Sequence, residues 1–149
     1  MGTLDINMYH EMVQKTLYGH GDTNQHMLTI SSLAIANKCK NIIELGVRFG
    51  DSTVPLLFAA TVLGENSRVT SVDIESPEEQ SKRIGKPIAD FNEEFNSRWK
   101  FVKQDAISFL KEQEEKIDLI FIDDWHGEGH VFEELTIIDK LIDNTSLIL

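Results

Sequence analysis

The stretch that decides the fold is Asn41-Ile-Ile-Glu-Leu-Gly-Val-Arg-Phe-Gly-Asp-Ser-Thr53. An apolar strand runs into Glu44, Gly46 and Gly50 follow with the spacing G-x-x-x-G, and a helical pattern then continues to Leu63. The start of a helix presents free N–H groups and the positive end of the helix dipole. A strand, a glycine turn and a helix start therefore form a cradle for a nucleotide-like ligand.

The spacing of the glycines separates two kinds of cradle. A turn that binds a dinucleotide has the pattern G-x-G-x-x-G, in which the second glycine lets a pyrophosphate approach the backbone. Here Val47 and Arg48 follow Gly46. The spacing therefore disfavours an oxidoreductase with a dinucleotide cofactor, which remains as an alternative.

Composition limits the class of protein. The chain has 149 residues, enough for one domain with a core, and its 14 basic and 25 acidic residues give a net charge of −11. So acidic a surface repels phosphate backbones and anionic lipids, so we expect neither nucleic acid nor a membrane as partner. Cys39 is the only cysteine and is expected in the core. Without a disulfide or an apolar span, we expect a soluble cytoplasmic protein.

The pattern of the chain predicts an α/β fold. Two helices at residues 7–17 and from the Thr23 cap onward precede alternating strands and helices. We predict strands at residues 41–45, 68–73, 100–103, 117–122 and 146–149, helices at 52–63, 89–97, 106–114 and 128–142, and a polar, proline-marked segment at 75–87. This rhythm indicates a Rossmann-like, doubly wound parallel sheet of about five strands flanked by helices. In such sheets ligands bind beyond the carboxyl ends of the strands.

Acidic residues lie at two of these strand ends. Asp73 ends the second strand, where a carboxylate can accept two hydrogen bonds from a ribose diol, or can instead cap the next turn. Asp105 precedes the helix that begins at Ala106. It can be an N-cap, accept a hydrogen bond from an adenine amino group, or do both.

The end of the fourth strand, Asp123-Asp124-Trp125-His126, is the candidate reaction centre. One carboxylate could bind a hard cation, Trp125 could stack on a base, and an imidazole exchanges protons near neutral pH, which suits His126 as a general base. The alternative is a polar loop whose acids cap the following helix. The remaining histidines, His130 among them, are interpreted as surface or loop residues, although His20 and His26 could close over the site.

These motifs together resemble class I S-adenosylmethionine (SAM)-dependent methyltransferases, and within them the small-molecule O-methyltransferases of the catechol O-methyltransferase type and their bacterial relatives. Four motifs carry the resemblance: Gly21-Asp-Thr-Asn-Gln25 resembles the family's entry segment, Ile43–Thr53 the SAM turn, Ser71-Val-Asp-Ile74 the ribose-binding strand, and Phe121–His126 the fourth-strand motif. The resemblance divides the chain into an N-terminal helical segment, residues 1–40, and a SAM-binding Rossmann-like part of the same domain, residues 41–149.

The resemblance also implies site residues. Gly46 would hold the amino end and Ser52 the carboxylate of the methionine moiety. Asp123 corresponds to a metal-binding acid, and His126 stands where the catechol enzymes carry a catalytic lysine; these two are the expected catalytic residues. The expected cofactor-binding residues are Glu44, Gly46, Gly50, Ser52, Asp73, Ile74, Asp105, Ala106, Asp124 and Trp125.

Two features of the family lie beyond Leu149. Its second pair of metal ligands follows the fifth strand, so the sequence supports Mg²⁺ less well than SAM. Its last strands complete the sheet, so the fifth strand would be an edge that a homo-oligomer could cover. We expect O-methylation of a small hydroxylated acceptor. The alternative is a non-catalytic SAM-binding regulatory or partner subunit that lacks an acceptor pocket.

Overall fold

The computed structural model describes residues 6–19, 23–85 and 97–149. The helices are α1 (Ile6–Tyr18), α2 (Met27–Ala36), α3 (Thr53–Leu63), α4 (Pro77–Ile84), α5 (Ala106–Lys111) and α6 (Glu128–Ile138). A single 3-10 turn, Asn24–His26, precedes α2. The strands are β1 (Asn41–Leu45), β2 (Arg68–Asp73), β3 (Trp99–Lys103), β4 (Leu119–Ile122) and β5 (Leu147–Ile148).

The strands form one parallel sheet in the order β3-β2-β1-β4-β5. The chain moves outward from β1 to β3 and then crosses to β4 on the other side of β1, which confirms the predicted doubly wound architecture. The strand order reverses between β1 and β4. Ligands of open α/β sheets bind at this reversal, outside the carboxyl ends of the strands.

Alternation along β1 divides the core into two layers, because successive side chains of a strand point to opposite faces. Ile42 packs into a cluster with Ala34 of α2 and Leu57 of α3. Ile43 packs into a second cluster, which includes Ile138 of α6. Both faces of the central strand are therefore covered, as is usual for parallel sheets with helices on both sides.

The polar segment at residues 75–87, for which no helix was predicted, contains α4. The Ser76 side chain accepts a hydrogen bond from the N–H of Glu79, and the Glu79 carboxylate accepts one from the N–H of Ser76. Pro77 occupies the first helical position, where a missing N–H costs nothing. The capping-box pattern is present in the sequence Ser76-Pro-Glu-Glu79, but its proline made the start of a helix harder to recognise.

Other boundaries differ by a few residues. The 3-10 turn separates Thr23 from α2, and Thr23 makes no capping hydrogen bond with its side chain, so the predicted cap there is wrong. The helices α5 and α6 end at Lys111 and Ile138, earlier than predicted. The helix predicted at 89–97 falls almost wholly on residues outside the described ranges. None of the described helices is both long and apolar enough to cross a membrane.

Candidate functional site

The turn after β1 requires glycine at its first position. Gly46 has φ +86°, and a Cβ there would lie 2.3 Å from the carbonyl oxygen of Asp123. The N–H of Gly46 donates to Val72 in β2, and the N–H of Asp123 donates to Leu45 in β1. The turn therefore lies in direct contact with the ends of both neighbouring strands.

Glu44 lies beneath this turn and is fully buried. Its carboxyl group accepts hydrogen bonds from Ser52 Oγ (2.6 Å), Thr53 Oγ1 (2.8 Å) and Ser71 Oγ. Burial raises the pKa of Glu44 to about 7, although these hydroxyl donors oppose the shift. Glu44 thus connects β1, β2 and the start of α3 from inside the core.

Asp73 stands at the end of β2, opposite the same turn. Its Oδ2 accepts hydrogen bonds from the N–H groups of Val47 (2.9 Å) and Arg48 (3.2 Å) and from Gln80 Nε2 (3.0 Å). Its Oδ1 accepts one from the N–H of Glu75. Since a carboxylate offers about four acceptor sites, Oδ1 retains capacity for a further donor.

A cavity of about 550 Å³ opens at the carboxyl ends of β1, β2 and β4. Most of the site residues expected from the sequence line it, namely Gly46, Asp73, Ile74, Asp105, Ala106, Asp123, Asp124, Trp125 and His126. Three expected cofactor-binding residues are not part of its lining, Glu44, Gly50 and Ser52. The Ser52 hydroxyl is buried and directed at Glu44 instead.

Sequence reasoning missed the side of the cavity that α4 supplies. Gln80 and Arg83 of α4 line it together with Gln104 after β3. Gln80 is buried and hydrogen bonded to Asp73 (3.0 Å). The capping box before α4 was the available signal, since a helix there directs every third or fourth side chain toward the strand ends.

The loop after β4 carries the candidate reaction centre. His126 is largely exposed, and its Nε2 lies 3.6 Å from Asp123 Oδ1. Trp125 is 75% exposed, and its ring centroid lies 5.9 Å from that of His130. An imidazole beside a carboxylate can be oriented by it, and an exposed indole beside a cavity can stack on a planar group.

Asp105 is an N-cap, as one of the two compatible predictions for it states. Its Oδ1 accepts a hydrogen bond from the N–H of Ser108 (2.9 Å), which lowers the pKa of Asp105. The residue also lines the cavity. Capping therefore places this carboxylate at the cavity wall without preventing a contact to a ligand.

A second cavity of about 390 Å³ lies on the other side of Asp123, between α2 and the β4–β5 edge. Ile30, Leu33 and Phe121 provide apolar surface there. Thr23, Thr29 and His26 add polar groups, whereas His20 is outside the described residues. Asp123 lines both cavities and so separates them.

The surroundings of Asp123 do not fit a Mg²⁺ ion. Mg²⁺ is held by oxygen ligands in octahedral geometry. Within the described ranges Asp123 does not join a cluster of three potential ligand side chains, and its near titratable neighbour on the loop is the imidazole of His126. The described residues therefore supply no further ligand for a metal ion at Asp123, where one was predicted.

Comparisons with known proteins bear on the family. A family model described as a methyltransferase domain matches residues 43–149. None of the curated proteins compared with the sequence matches it.

Solved structures share the fold. An O-methyltransferase from Bacillus cereus, solved in complex with SAH, has 21% identity and a TM-score of 0.61 over 92% of this chain. TomG from Streptomyces achromogenes, an O-methyltransferase solved with SAM, has 16% identity and a TM-score of 0.59 over 96% of this chain. A methyltransferase from Geobacter sulfurreducens has 16% identity and a TM-score of 0.65 over 99% of it. The chain spans 62%, 63% and 71% of the lengths of these three proteins.

Proposed function

Because this chain belongs to the family of methyltransferase domains, we propose that it binds SAM in the cavity at the ends of β1, β2 and β4 and methylates a hydroxyl group of a small acceptor. The observation that carries the proposal is the position of Gly46 and Asp73. The glycine turn and the carboxylate of the neighbouring strand meet at one wall of that cavity. The same wall leaves no space for a side chain at Gly46.

The lining suits the parts of SAM. The turn at Gly46 would hold the amino-acid end, Asp73 the ribose, and Trp125 with Asp105 the adenine. SAM supplies an electrophilic methyl group on a sulfonium centre. What this chain contributes is a lining in which carboxylates outnumber the guanidinium groups of Arg48 and Arg83, which favours a cationic ligand over a polyphosphate.

His126 would act as the general base. Its imidazole would accept the proton of the acceptor hydroxyl, and Asp123, 3.6 Å away, would orient the ring and stabilise the imidazolium that forms. No step is assigned to a metal ion at Asp123. The base and its carboxylate both lie on the loop after β4, so their spacing depends on the conformation of that loop alone.

The acceptor would lie in the second cavity. Its apolar wall of Ile30, Leu33 and Phe121 suits a flat or hydrocarbon portion, and its threonines and His26 suit hydroxyl groups. Asp123 stands between the two cavities, where the methyl donor and the acceptor hydroxyl would meet. A catechol or a hydroxylated aromatic acid has this combination of surfaces. We also propose that the protein is cytoplasmic and that it acts alone or as a homo-oligomer.

Calorimetric titration with SAM tests the cofactor. We expect binding to the native chain and a roughly 10- to 100-fold loss of affinity in each of two variants. In Asp73→Asn the reason is that hydrogen bonds to charged groups contribute about 1.5–3 kcal/mol. In Trp125→Ala the reason is that stacking of a base on an aromatic side chain contributes about 1–3 kcal/mol. The exposed Asp139, at the end of α6, provides the control Asp139→Asn. Absence of SAM binding by the native chain would refute the proposal.

Turnover is measured separately, as release of S-adenosylhomocysteine with catechols, sugars and hydroxy acids. His126→Gln should bind SAM normally and lose roughly 100-fold or more in rate, the range for a general base. His26→Gln should raise the KM for the acceptor only. SAM binding without turnover of any acceptor would favour the alternative, a non-catalytic SAM-binding subunit.

A further inference from the structure

Three side chains outside the proposed base pair converge beside the cofactor cavity. Asp124 follows β4, whereas His130 and Glu134 lie one helical turn apart on α6. His130 Nε2 is 3.1 Å from Asp124 Oδ2 and 3.3 Å from Glu134 Oε1. One potential ligand atom from each residue lies within 4.8 Å of the other two.

Among the described residues, three of the four carboxylate oxygens in this cluster lack a hydrogen-bond donor, whereas Asp124 Oδ2 pairs with His130 Nε2 (3.1 Å). Glu134 is fully buried, and neither of its oxygens accepts a hydrogen bond from the described residues. Asp124 Oδ1 is buried without a donor as well. Leaving a buried polar atom unsatisfied costs about 1–3 kcal/mol, and more when the group is charged. A positively charged partner between Asp124 and Glu134 would therefore stabilise this cluster.

A shared proton is the simplest alternative. Burial and the neighbouring Asp124 raise the pKa of Glu134 to about 7, so a proton binds there readily. A proton, however, supplies one donor, and His130 Nε2 supplies one more. A proton shared between a Glu134 oxygen and Asp124 Oδ1 would give both of these atoms a partner, and the other Glu134 oxygen would depend on the imidazole of His130, which already pairs with Asp124 Oδ2.

The spacing is also compatible with a metal ion. Ligand atoms about 2.0–2.2 Å from a tetrahedral ion lie roughly 3.3 Å from one another. The distances from Nε2 to the two carboxylates, 3.1 and 3.3 Å, agree with this. One imidazole nitrogen with two carboxylate oxygens suits Zn²⁺ or Mn²⁺ better than Mg²⁺ or Ca²⁺, which are bound through oxygen.

We propose that Asp124, His130 and Glu134 form a binding site for a divalent transition-metal ion of the Zn²⁺ or Mn²⁺ type. The ion would join the loop after β4 to α6. That loop carries Asp123 and His126, so the ion would fix the wall shared by the two cavities. Three protein ligands leave a coordination position that a water molecule can fill.

The test uses the chain without SAM, so that it is independent of the proposed function. Protein treated with a chelator is titrated with ZnCl₂ and with MnCl₂ in a calorimeter. We expect one equivalent to bind, and an affinity at least tenfold lower in Glu134→Gln, where the amide replaces an anionic ligand. The control is Glu133→Gln, the same change one residue away, at an exposed side chain paired with Lys111.

Thermal unfolding provides a second readout. An ion that binds only the folded state raises Tm, so the metal should raise the Tm of the native chain and of Glu133→Gln but not that of Glu134→Gln. His130→Asn provides the same comparison should Glu134→Gln not fold. Failure of both ions to bind the native chain, or equal affinity in Glu133→Gln and Glu134→Gln, would overturn the site.

Discussion

The N–H of Val47 lies 2.9 Å from Asp73 Oδ2, so the turn after β1 is hydrogen bonded to the last residue of β2. The acid expected to bind a ribose therefore also holds the backbone of the turn that faces the cavity. Ligand affinity and turn stability are thus coupled through one carboxylate. Variants of Asp73 have to be interpreted with both roles in view.

Substitution of Asp73 should lower stability even without a ligand. In Asp73→Ala the N–H groups of Val47 and Arg48 and the amide of Gln80 lose their acceptor, and we expect a decrease of about 1–3 kcal/mol in the free energy of unfolding. Asp73→Asn keeps one oxygen acceptor and should lose less. Urea denaturation measures both against Asp139→Ala. A decrease in Asp139→Ala as large as in Asp73→Ala would contradict this account.

Glycine substitutions separate backbone strain from steric overlap. Gly85→Ala tests strain, because Gly85 has φ +77° and no atom of the described residues lies within 4 Å of its would-be Cβ, and we expect a loss of about 1 kcal/mol. Gly46→Ala adds overlap with the Asp123 carbonyl and should lose several times more, or displace the loop after β4. Gly129→Ala, in open space on α6, should gain about 0.5–1 kcal/mol.

These three variants are ranked by thermal and urea unfolding under one set of conditions. The expected order of stability is Gly129→Ala, native, Gly85→Ala and then Gly46→Ala. If Gly46→Ala were as stable as Gly85→Ala, the contact between the turn and β4 would not have the geometry described.

Glu44 should make stability depend on pH near neutrality. Its pKa rises from the ordinary 4.5 to about 7 on folding, so the folded chain binds more protons than the unfolded chain between these values. Stability should therefore decline as pH rises from about 5 to 7, by on the order of 1 kcal/mol per pH unit. Glu44→Gln cannot lose this proton and should show a smaller slope.

Urea denaturation from pH 5 to 8 in the presence of a chelator measures that slope. The control is Glu114→Gln, an exposed carboxylate, which should retain the native slope. The raised pKa of Glu134 acts in the same direction, so a residual slope is expected in Glu44→Gln. Parallel curves for the native chain and Glu44→Gln would argue against a buried neutral carboxyl.

The regular alternation of strands and helices along the sequence predicted the parallel sheet. The bounds of β1 and β2 agree with the prediction to the residue, since each is followed by a charged or glycine-rich turn. The ends of α5 and α6 were harder to place, because polar residues continue a helical pattern beyond the point where the backbone turns away. Sequence periodicity does not contain the packing that stops such helices.

The site residues that could be predicted are those whose place follows from the path of the backbone and from their position at a strand end. Gly46 and Asp73 belong to the cavity because parallel strands end at one edge of the sheet. Ser52 was assigned to the ligand by resemblance, but in the structure its hydroxyl is bonded to Glu44. His130 was interpreted as a surface residue, yet it contacts Asp124 and Glu134 through the fold. The spacing of His130 and Glu134 on α6 was readable in the sequence, whereas the approach of Asp124 depends on the path of the loop after β4, which a single sequence does not give.

Cys39 should resist modification as long as the chain is folded. The thiol is buried in the core, as predicted, and burial together with Asp118 raises its pKa to about 11. Because the thiolate is the nucleophile, an aromatic disulfide reagent at pH 8 should react with it only when the protein unfolds. Release of the coloured thiol in urea should follow the unfolding transition. Rapid reaction in buffer alone would place Cys39 outside the core.

The fluorescence of the two tryptophans can report separately on the cavity and on the sheet. Trp99 is partly shielded in β3 and donates to Ser71 Oγ, whereas Trp125 is 75% exposed beside the cavity. The emission of Trp99 and Trp125 should differ in wavelength and in access to iodide. Quenching by iodide therefore separates the emission of the shielded Trp99 from that of the exposed Trp125. A ligand that enters the cavity beside Trp125 would change the emission of Trp125, and partial unfolding of the sheet would change the emission of Trp99.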